Sequence, residues 1–206
     1  LLLVKRITAI NGVPITDQVD GINTPSDPNY VAAPRDQDDN HANWPSGFLR
    51  GRLRDRIQPG DRIEFTIYIL SSGTASAQNA LFCDLVPANV TFLPGAYNGT
   101  PAANGPSPVP GVTTSGGDRG IMLGLGTQSS TSPYPILASL SNASDGDVGQ
   151  YVAPGVALTT IDPRLSGCGS NTNGAIVARL GDLPQATGAG IPPGSYGFVR
   201  FQGRVN

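Results

Sequence analysis

Hydrophobic and polar residues alternate most clearly between Arg62 and Leu70, in the sequence RIEFTIYIL. A period of two places successive side chains on opposite faces, as in a β-strand that is half buried. The first face holds Ile63, Phe65, Ile67 and Ile69, and the second holds Glu64, Thr66 and Tyr68. The pattern therefore predicts a strand with one face in a core.

Other short apolar or alternating runs are separated by turn residues, whereas no segment of ten or more residues follows the 3.6-residue period of a helix. The segment 48–57 also resembles a strand, but 126–174 shows little periodicity. We therefore predict an all-β sandwich of about seven or more strands in one domain over 1–206, with loop insertions at about 13–47 and 94–170. The remaining strand signals lie at 1–10, 80–86, 91–93, 120–125, 175–180 and 196–205.

Composition supports this prediction and excludes several classes of protein. The chain has 206 residues, of which 27 are Gly and 19 are Pro, and only 14% are charged. Lys5 is the one lysine and Glu64 the one glutamate, so the good helix formers are scarce. The net charge of −2 argues against a polycation that coats nucleic acid, and no apolar run is long enough to span a membrane. We expect no nucleic-acid partner and no membrane span.

The two cysteines, Cys83 and Cys168, are 85 residues apart and fit no zinc or thioredoxin spacing. They are either two free thiols or one disulfide. We favour the disulfide because each cysteine lies in or beside a segment that we expect to be ordered. Such a bond would indicate an oxidising, extracytoplasmic location.

The segment 57–92, IQPGDRIEFTIYILSSGTASAQNALFCDLVPANVTF, resembles the conserved repeat of bacterial surface proteins known as domain of unknown function eleven. The ends VKRI and GSYGFVRFQGRVN are similar to the first and last strands of that module. The resemblance implies an immunoglobulin-like β-sandwich in the bacterial envelope, of the type found in cyanobacteria, and implies no catalytic residue. The matching positions are Pro59, Gly60, Asp61, Gly73, Asp84, Pro87, Thr91 and Phe92.

Candidate catalytic groups are few. His41 is the only histidine, and the chain lacks the spacing motifs of serine hydrolases, zinc proteases and phosphate-binding loops. The 14 aspartates could supply a carboxylate pair for glycoside hydrolysis, but most of them lie in turn sequences, where the side chain bonds backbone amides. We do not expect an enzyme. A secreted hydrolase is less favoured than a structural protein or a carbohydrate- or surface-binding module, the two hypotheses developed below.

One acidic stretch has the spacing of a metal loop. Asp36, Asp38 and Asn40 match the opening of a calcium loop, in which alternate residues direct oxygen ligands at one point. His41 then stands where such a loop needs glycine, and no bidentate glutamate follows. The alternatives are a calcium site at these three residues and a solvated loop in which the same side chains make local turns. Calcium is the one possible cofactor.

Arginine alternates along the segment 50–56, which on a strand would form a basic row. The acidic segment 17–39 precedes it, so we expect ion pairs rather than bound phosphate. Aromatic residues in loops could instead serve as stacking platforms of a carbohydrate- or surface-binding adhesion module. The arginines are Arg50, Arg52, Arg54 and Arg56, and the aromatic candidates are Trp44, Tyr30, Tyr97, Tyr134 and Tyr151.

The chain begins with four consecutive aliphatic residues, Leu1, Leu2, Leu3 and Val4. Exposing four such side chains costs about 1.5–3 kcal/mol each, so we expect both faces of this stretch to be covered. It either belongs to its own sheet or adds to the sheet of a neighbouring copy. We therefore expect a non-enzymatic extracellular structural protein that assembles with itself into a surface filament or layer through this subunit-contact strand.

Overall fold

The computed structural model describes residues 1–17, 24–27, 29–33, 36–99, 117–126, 136–145 and 147–206. Within these ranges the chain forms two antiparallel β-sheets of unequal width, so the predicted all-β sandwich class is confirmed. The larger sheet contains β1 (Leu2–Ile10), β2 (Val13–Pro14), β3 (Arg62–Leu70), β5 (Val90–Phe92), β6 (Ile121–Leu125), β7 (Ile136–Leu140) and β10 (Tyr196–Val205). The smaller sheet contains β4 (Ala77–Leu85), β8 (Gly149–Val152) and β9 (Ala175–Leu183).

The strand order of the large sheet is β2-β1-β3-β10-β6-β7, with β5 paired to the end of β10, and that of the small sheet is β4-β9-β8. Both neighbours of β3 are long: β1 pairs Leu2 with Leu70, and β10 pairs Tyr196 with the same residue. The strand with the clearest alternation is therefore a central strand, paired on both sides. Three short helical segments complete the described elements: α1 (Asp36–Asp39), η1 (Leu158–Thr160) and η2 (Pro163–Cys168).

The main core lies between the two sheets. The odd-numbered apolar residues of β3 point into it, and the rings of Phe65 and Phe201 lie 5.2 Å apart there. Removing an aliphatic or aromatic side chain from water contributes about 1.5–3 kcal/mol, so this layer is the principal source of stability. Its most deeply buried members include Ile63, Ile69, Ile121, Leu123, Leu140, Ile176, Val199 and Phe201.

Each sheet also buries its outer face. The loop around Trp44 and Phe48 covers the outer face of the large sheet, where Phe48 contacts Tyr68 and Tyr196 at ring distances of 5.3 and 5.0 Å. On the small sheet, η1 and η2 place Leu158 and Leu165 against Ala175 and Val177. The molecule is consequently built of four layers.

Two expectations from the sequence require correction. The predicted insertion at 94–170 contains the strand expected at 120–125, which is β6, but also β7, β8, η1 and η2, which the sequence analysis did not predict. Residues 138–140 of β7 are all buried, and β8 has only four residues, so neither strand alternates visibly. The segment 48–57 is not a strand either: it contains only isolated bridge positions, Arg50 and Arg52, of which Arg52 pairs with Ile7. None of the described helical segments is long and apolar enough to cross a membrane.

Cys83 and Cys168 form a disulfide, as the sequence analysis favoured. Cys83 lies on β4 and Cys168 ends η2, and both side chains belong to the apolar cluster on the outer face of the small sheet. Arg164 of η2 also donates a hydrogen bond from Nη1 to the carbonyl oxygen of Asn79, at 2.7 Å. The bond therefore fixes η2 against β4.

Breaking this disulfide should destabilise the fold substantially. In the chain-entropy description a closed loop of 85 residues contributes roughly 4–5 kcal/mol. We expect dithiothreitol to lower the free energy of unfolding by several kcal/mol in urea titrations. The Cys83→Ser, Cys168→Ser double variant provides the control, because its stability should be low and insensitive to reductant. Equal stability with and without reductant in the parent protein would contradict the prediction.

Candidate functional site: an open edge of the sandwich

The N-terminal strand lies in its own sheet. Leu2, Leu3 and Val4 pair with Leu70, Ile69 and Tyr68 of β3. Intramolecular pairing, one of the two alternatives, is therefore what the structure contains.

Within the single chain, only one of the two faces of this stretch is covered. Val4 is only 3% exposed because the loop around Trp44 packs over it, but Leu1 and Leu3 are 52% and 47% exposed. Their side chains lie on the face that looks toward the narrower sheet, which ends at β4 and does not cover them.

The backbone on the outer side of this stretch is also unpaired. Ile7 exchanges two hydrogen bonds with Arg52, of 2.8 and 3.0 Å, on the side away from β3. Because backbone groups alternate in direction along a strand, Leu3 and Lys5 direct theirs to the same side. No described strand lies beside residues 2–5 there, and only the Lys5 carbonyl has a recorded bond, from Arg6 Nη1. We call residues 1–5 and this backbone the open edge.

Two cavities lie along the open edge. The larger, about 670 Å³, is bounded by Leu3–Arg6 on one side and by residues 30–33 with Leu53 on the other. The smaller, about 210 Å³, lies beside β4 and is lined by Leu1, Leu3 and Leu81 together with the disulfide. Of this wall the sequence analysis singled out only Tyr30, as a stacking residue. It missed residues 31–33 and Leu53, whose only signal is that they are apolar residues within a polar loop.

Lys5 marks the inner end of the open edge. Its Nζ lies 2.5 Å from Asp84 Oδ2 on the opposite sheet and 5.0 Å from the centre of the Phe65 ring. Burial raises the pKa of Asp84, and this effect outweighs the opposing influence of Lys5. Because the only lysine is turned inward, the open edge has no free side-chain charge of its own between residues 1 and 5.

A second ion pair joins β1 to the covering loop. Arg6 Nη2 lies 2.5 Å from Asp39 Oδ2, and the two side chains are only 4% and 5% exposed. Burial lowers the pKa of Arg6 although Asp39 favours its charged form. The carboxylate that forms this buried ion pair is therefore that of Asp39, and not that of its neighbour Asp38, which was predicted as a calcium ligand.

The structure describes the side chains of only two of the three predicted calcium ligands, Asp38 and Asn40. Residues 36–39 form α1, where the Asp38 carbonyl accepts a 2.7 Å hydrogen bond from Trp44 Nε1. The side chain of Asp36 falls outside the described part of the chain, and Asn40 is exposed. Among described residues, no group of three or more His, Cys, Asp or Glu is arranged for a metal ion. Calcium at Asp36, Asp38 and Asn40 stays a prediction.

The ion pair expected between the arginine segment 50–56 and the acidic segment 17–39 is present at Arg52. Arg52 binds Asp17 through Nη2 at 2.6 Å and Asp55 through Nη1 at 3.0 Å. Arg54 donates from Nη2 to the Pro25 carbonyl oxygen at 3.2 Å. The local charges are therefore partly neutralised within the chain.

Two of the five aromatic candidates for a carbohydrate-binding platform, Trp44 and Tyr97, are buried. Trp44 and Tyr97 are only 7% and 4% exposed, which excludes them as stacking surfaces. Tyr151 stacks on Phe92, with ring centres 4.3 Å apart. Tyr30 is partly exposed and lines the larger cavity, while Tyr134 lies outside the described residues.

Comparison of the chain with protein-family models, with curated proteins and with solved structures finds no match. The resemblance of 57–92 to the bacterial surface repeat therefore stays a prediction. The open edge and its two cavities are the features on which a function can be argued.

The ion pair that holds the wall of the larger cavity can be tested by removing one partner. Asp39→Ala leaves Arg6 buried without its counter-charge, which typically costs about 3–5 kcal/mol. We expect a loss of this size in the free energy of unfolding measured with denaturant. Asp38→Ala is the matched control and should change stability by less than about 0.5 kcal/mol. Equal effects of the two substitutions would contradict the assignment.

Proposed function

We propose that the protein is a non-enzymatic extracellular structural subunit whose copies join by strand addition at the open edge. The observation that carries this proposal is that no described strand pairs with the side of residues 2–5 that faces away from β3, and that Leu1 and Leu3 are exposed beside it. Assembly would continue into a filament or layer on the cell surface.

The open edge lacks the usual protection against pairing. Natural sheets shield their edges with proline, with charged side chains, with bulges or with a covering segment. Residues 1–4 contain neither proline nor a charged side chain, and Lys5 is engaged by Asp84. By contrast, η2 and Arg164 lie against the neighbouring edge strand β4. An unprotected stretch beside a protected one favours a pairing role for β1.

The two cavities would receive the side chains of an added strand. Successive side chains of a strand point in opposite directions, so one set would enter the cavity of about 670 Å³ and the other the slot of about 210 Å³. Backbone pairing then gives affinity and the cavities give selectivity for apolar residues. The open edge of a second copy has this character, because its Leu1 and Leu3 are exposed apolar side chains.

Two further features support the extracellular and non-catalytic parts of the proposal. Disulfides persist mainly in oxidising compartments, so the bond between Cys83 and Cys168 supports an extracellular location. His41, the only histidine, has a structural role: its Nδ1 accepts a hydrogen bond from the backbone N–H of Asn43 at 3.2 Å. The resemblance to the bacterial surface repeat points in the same direction.

A charge placed on the open edge should abolish assembly without unfolding the subunit. Leu3→Lys puts an ammonium group where strand addition would bury it, whereas in the isolated subunit this side chain is 47% exposed. Light scattering after size exclusion, over a rising protein concentration, should show assemblies for the parent protein and monomers for the variant. Electron microscopy of the concentrated parent protein should show filaments or sheets.

Val156→Lys is the matched control, because Val156 is 40% exposed and lies outside the open edge. This variant should assemble like the parent protein. A parent protein that stays monomeric at every concentration, or a Leu3→Lys variant that assembles normally, would refute the proposal.

A further inference from the structure

A third cavity lies on the outer face of the large sheet, away from the open edge. A cleft of about 470 Å³ separates the β1–β2 hairpin from the loop at 48–50. Its floor is formed by β3 and β10, which are neighbours in the sheet. The polar residues that line it are Thr8, Thr16, Arg50, Arg62, Glu64, Arg200 and Gln202.

The cleft has an excess of positive charge. Arg50, Arg62 and Arg200 line it together with a single carboxylate, Glu64. The register places Arg200 opposite Thr66 and Gln202 opposite Glu64, so residues more than 130 positions apart become neighbours.

Hydrogen bonds and an ion pair within the protein already engage the carboxylate of Glu64. Its Oε1 accepts from Thr8 Oγ1 at 3.0 Å and lies 3.4 Å from Arg200 Nε. Its Oε2 accepts from Tyr97 at 3.2 Å and from Gln202 at 3.1 Å. A carboxylate offers about four acceptor positions, so Glu64 is fully engaged and leaves no acceptor for Arg62.

Arg200 is held in place but keeps unused donors. Its Nε donates to Thr66 Oγ1 at 2.8 Å, and its guanidinium carbon lies 4.5 Å from the centre of the Phe198 ring. Its terminal amino groups make no hydrogen bond within the described part of the chain. A guanidinium fixed at Nε therefore presents its fork of N–H donors for another acceptor.

Arg62 completes the cationic rim. Its Nη2 packs closely against Gly12 in the turn between β1 and β2. A β-carbon at Gly12 would lie only 3.0 Å from this nitrogen. No side-chain hydrogen bond or ion pair of Arg62 is recorded among the described residues. Two arginines with unused donors thus belong to one cleft, together with Arg50.

We propose that this cleft binds the carboxylate of an acidic sugar of the uronic-acid type. The planar fork of arginine matches a carboxylate in two parallel hydrogen bonds. The volume lies within the range of about 300–1,000 Å³ that is usual for small-molecule sites and exceeds the needs of a bare inorganic anion. Thr16 lines the same cleft, and Gln202 Oε1 is buried without a hydrogen-bond partner among the described residues, which suits a ligand that carries hydroxyl groups as well as a charge.

The site is separate from the proposed assembly surface. The cleft lies at the C-terminal half of β1, beside Thr8 and Ala9, whereas the open edge occupies residues 1–5. Binding of sugar and assembly of copies can therefore be measured independently, and the Leu3→Lys variant should still bind the sugar.

Sodium D-glucuronate is the probe, with D-glucose and sodium sulfate as comparison ligands. Two-dimensional ¹H–¹⁵N spectra would follow the Gly12 amide and the arginine Nε–H signals during titration of the full chain. We expect saturable shifts with glucuronate, at least tenfold weaker binding of sulfate, and no shift with glucose. Arg62→Gln and Arg200→Gln should each weaken glucuronate binding at least tenfold, whereas the control Arg179→Gln, exposed on β9 of the other sheet, should not.

Arg62→Gln keeps the test decisive if Arg200→Gln fails to fold, because the Arg62 side chain makes no recorded hydrogen bond or ion pair in the described residues. Absence of saturable shifts with glucuronate would overturn the proposal. So would sulfate binding as tight as glucuronate binding, since the cleft would then recognise charge alone. Unchanged binding by the folded Arg62→Gln variant would place the ligand elsewhere and would also overturn it.

Discussion

The unequal width of the two sheets is the constraint on which the rest of the structure depends. The described strands give seven to the large sheet and three to the small one, and a narrow sheet cannot cover the inner face of a wide one. Apolar surface left over must be buried by other parts of the chain or remain exposed. Loops and short helices solve this problem on both outer faces, but the first residues of β1 remain exposed beyond the edge of β4.

The same constraint connects stability with the proposed function. The disulfide fixes η2 on the small sheet, and the buried pair of Arg6 and Asp39 joins β1 to α1. Lys5 and Asp84 connect the two sheets where coverage ends. These contacts hold the surroundings of residues 1–4 in place, so a partner strand would meet a preformed edge and would lose little affinity to reorganisation.

Some features could be predicted from the sequence because their causes are local. The alternation from Arg62 to Leu70 predicted a strand at the position of β3. The two cysteines could only be two free thiols or one disulfide. Other features depend on distant residues. The face with Glu64 and Tyr68 has the polarity of a solvent face, yet Phe48 covers Tyr68 and four partners surround Glu64.

The strands β7 and β8 escaped detection because one is buried on successive residues and the other is very short. The arginine cleft could not be predicted because strand register, rather than sequence spacing, brings Arg62 and Arg200 to one cleft. The open edge was inferred from four aliphatic residues, but the sequence could not show that Leu1 and Leu3 are left exposed beyond β4.

Amide hydrogen exchange at Leu3 tests the central claim most directly. The Leu3 N–H points away from β3, whereas that of Val4 points toward it, by the alternation that the Ile7–Arg52 bonds establish. In dilute solution Leu3 should exchange rapidly and Val4 slowly. In concentrated protein Leu3 should become protected while Val4 changes little. Protection of Leu3 already at dilution, or continued rapid exchange in the assembled state, would contradict pairing at this edge.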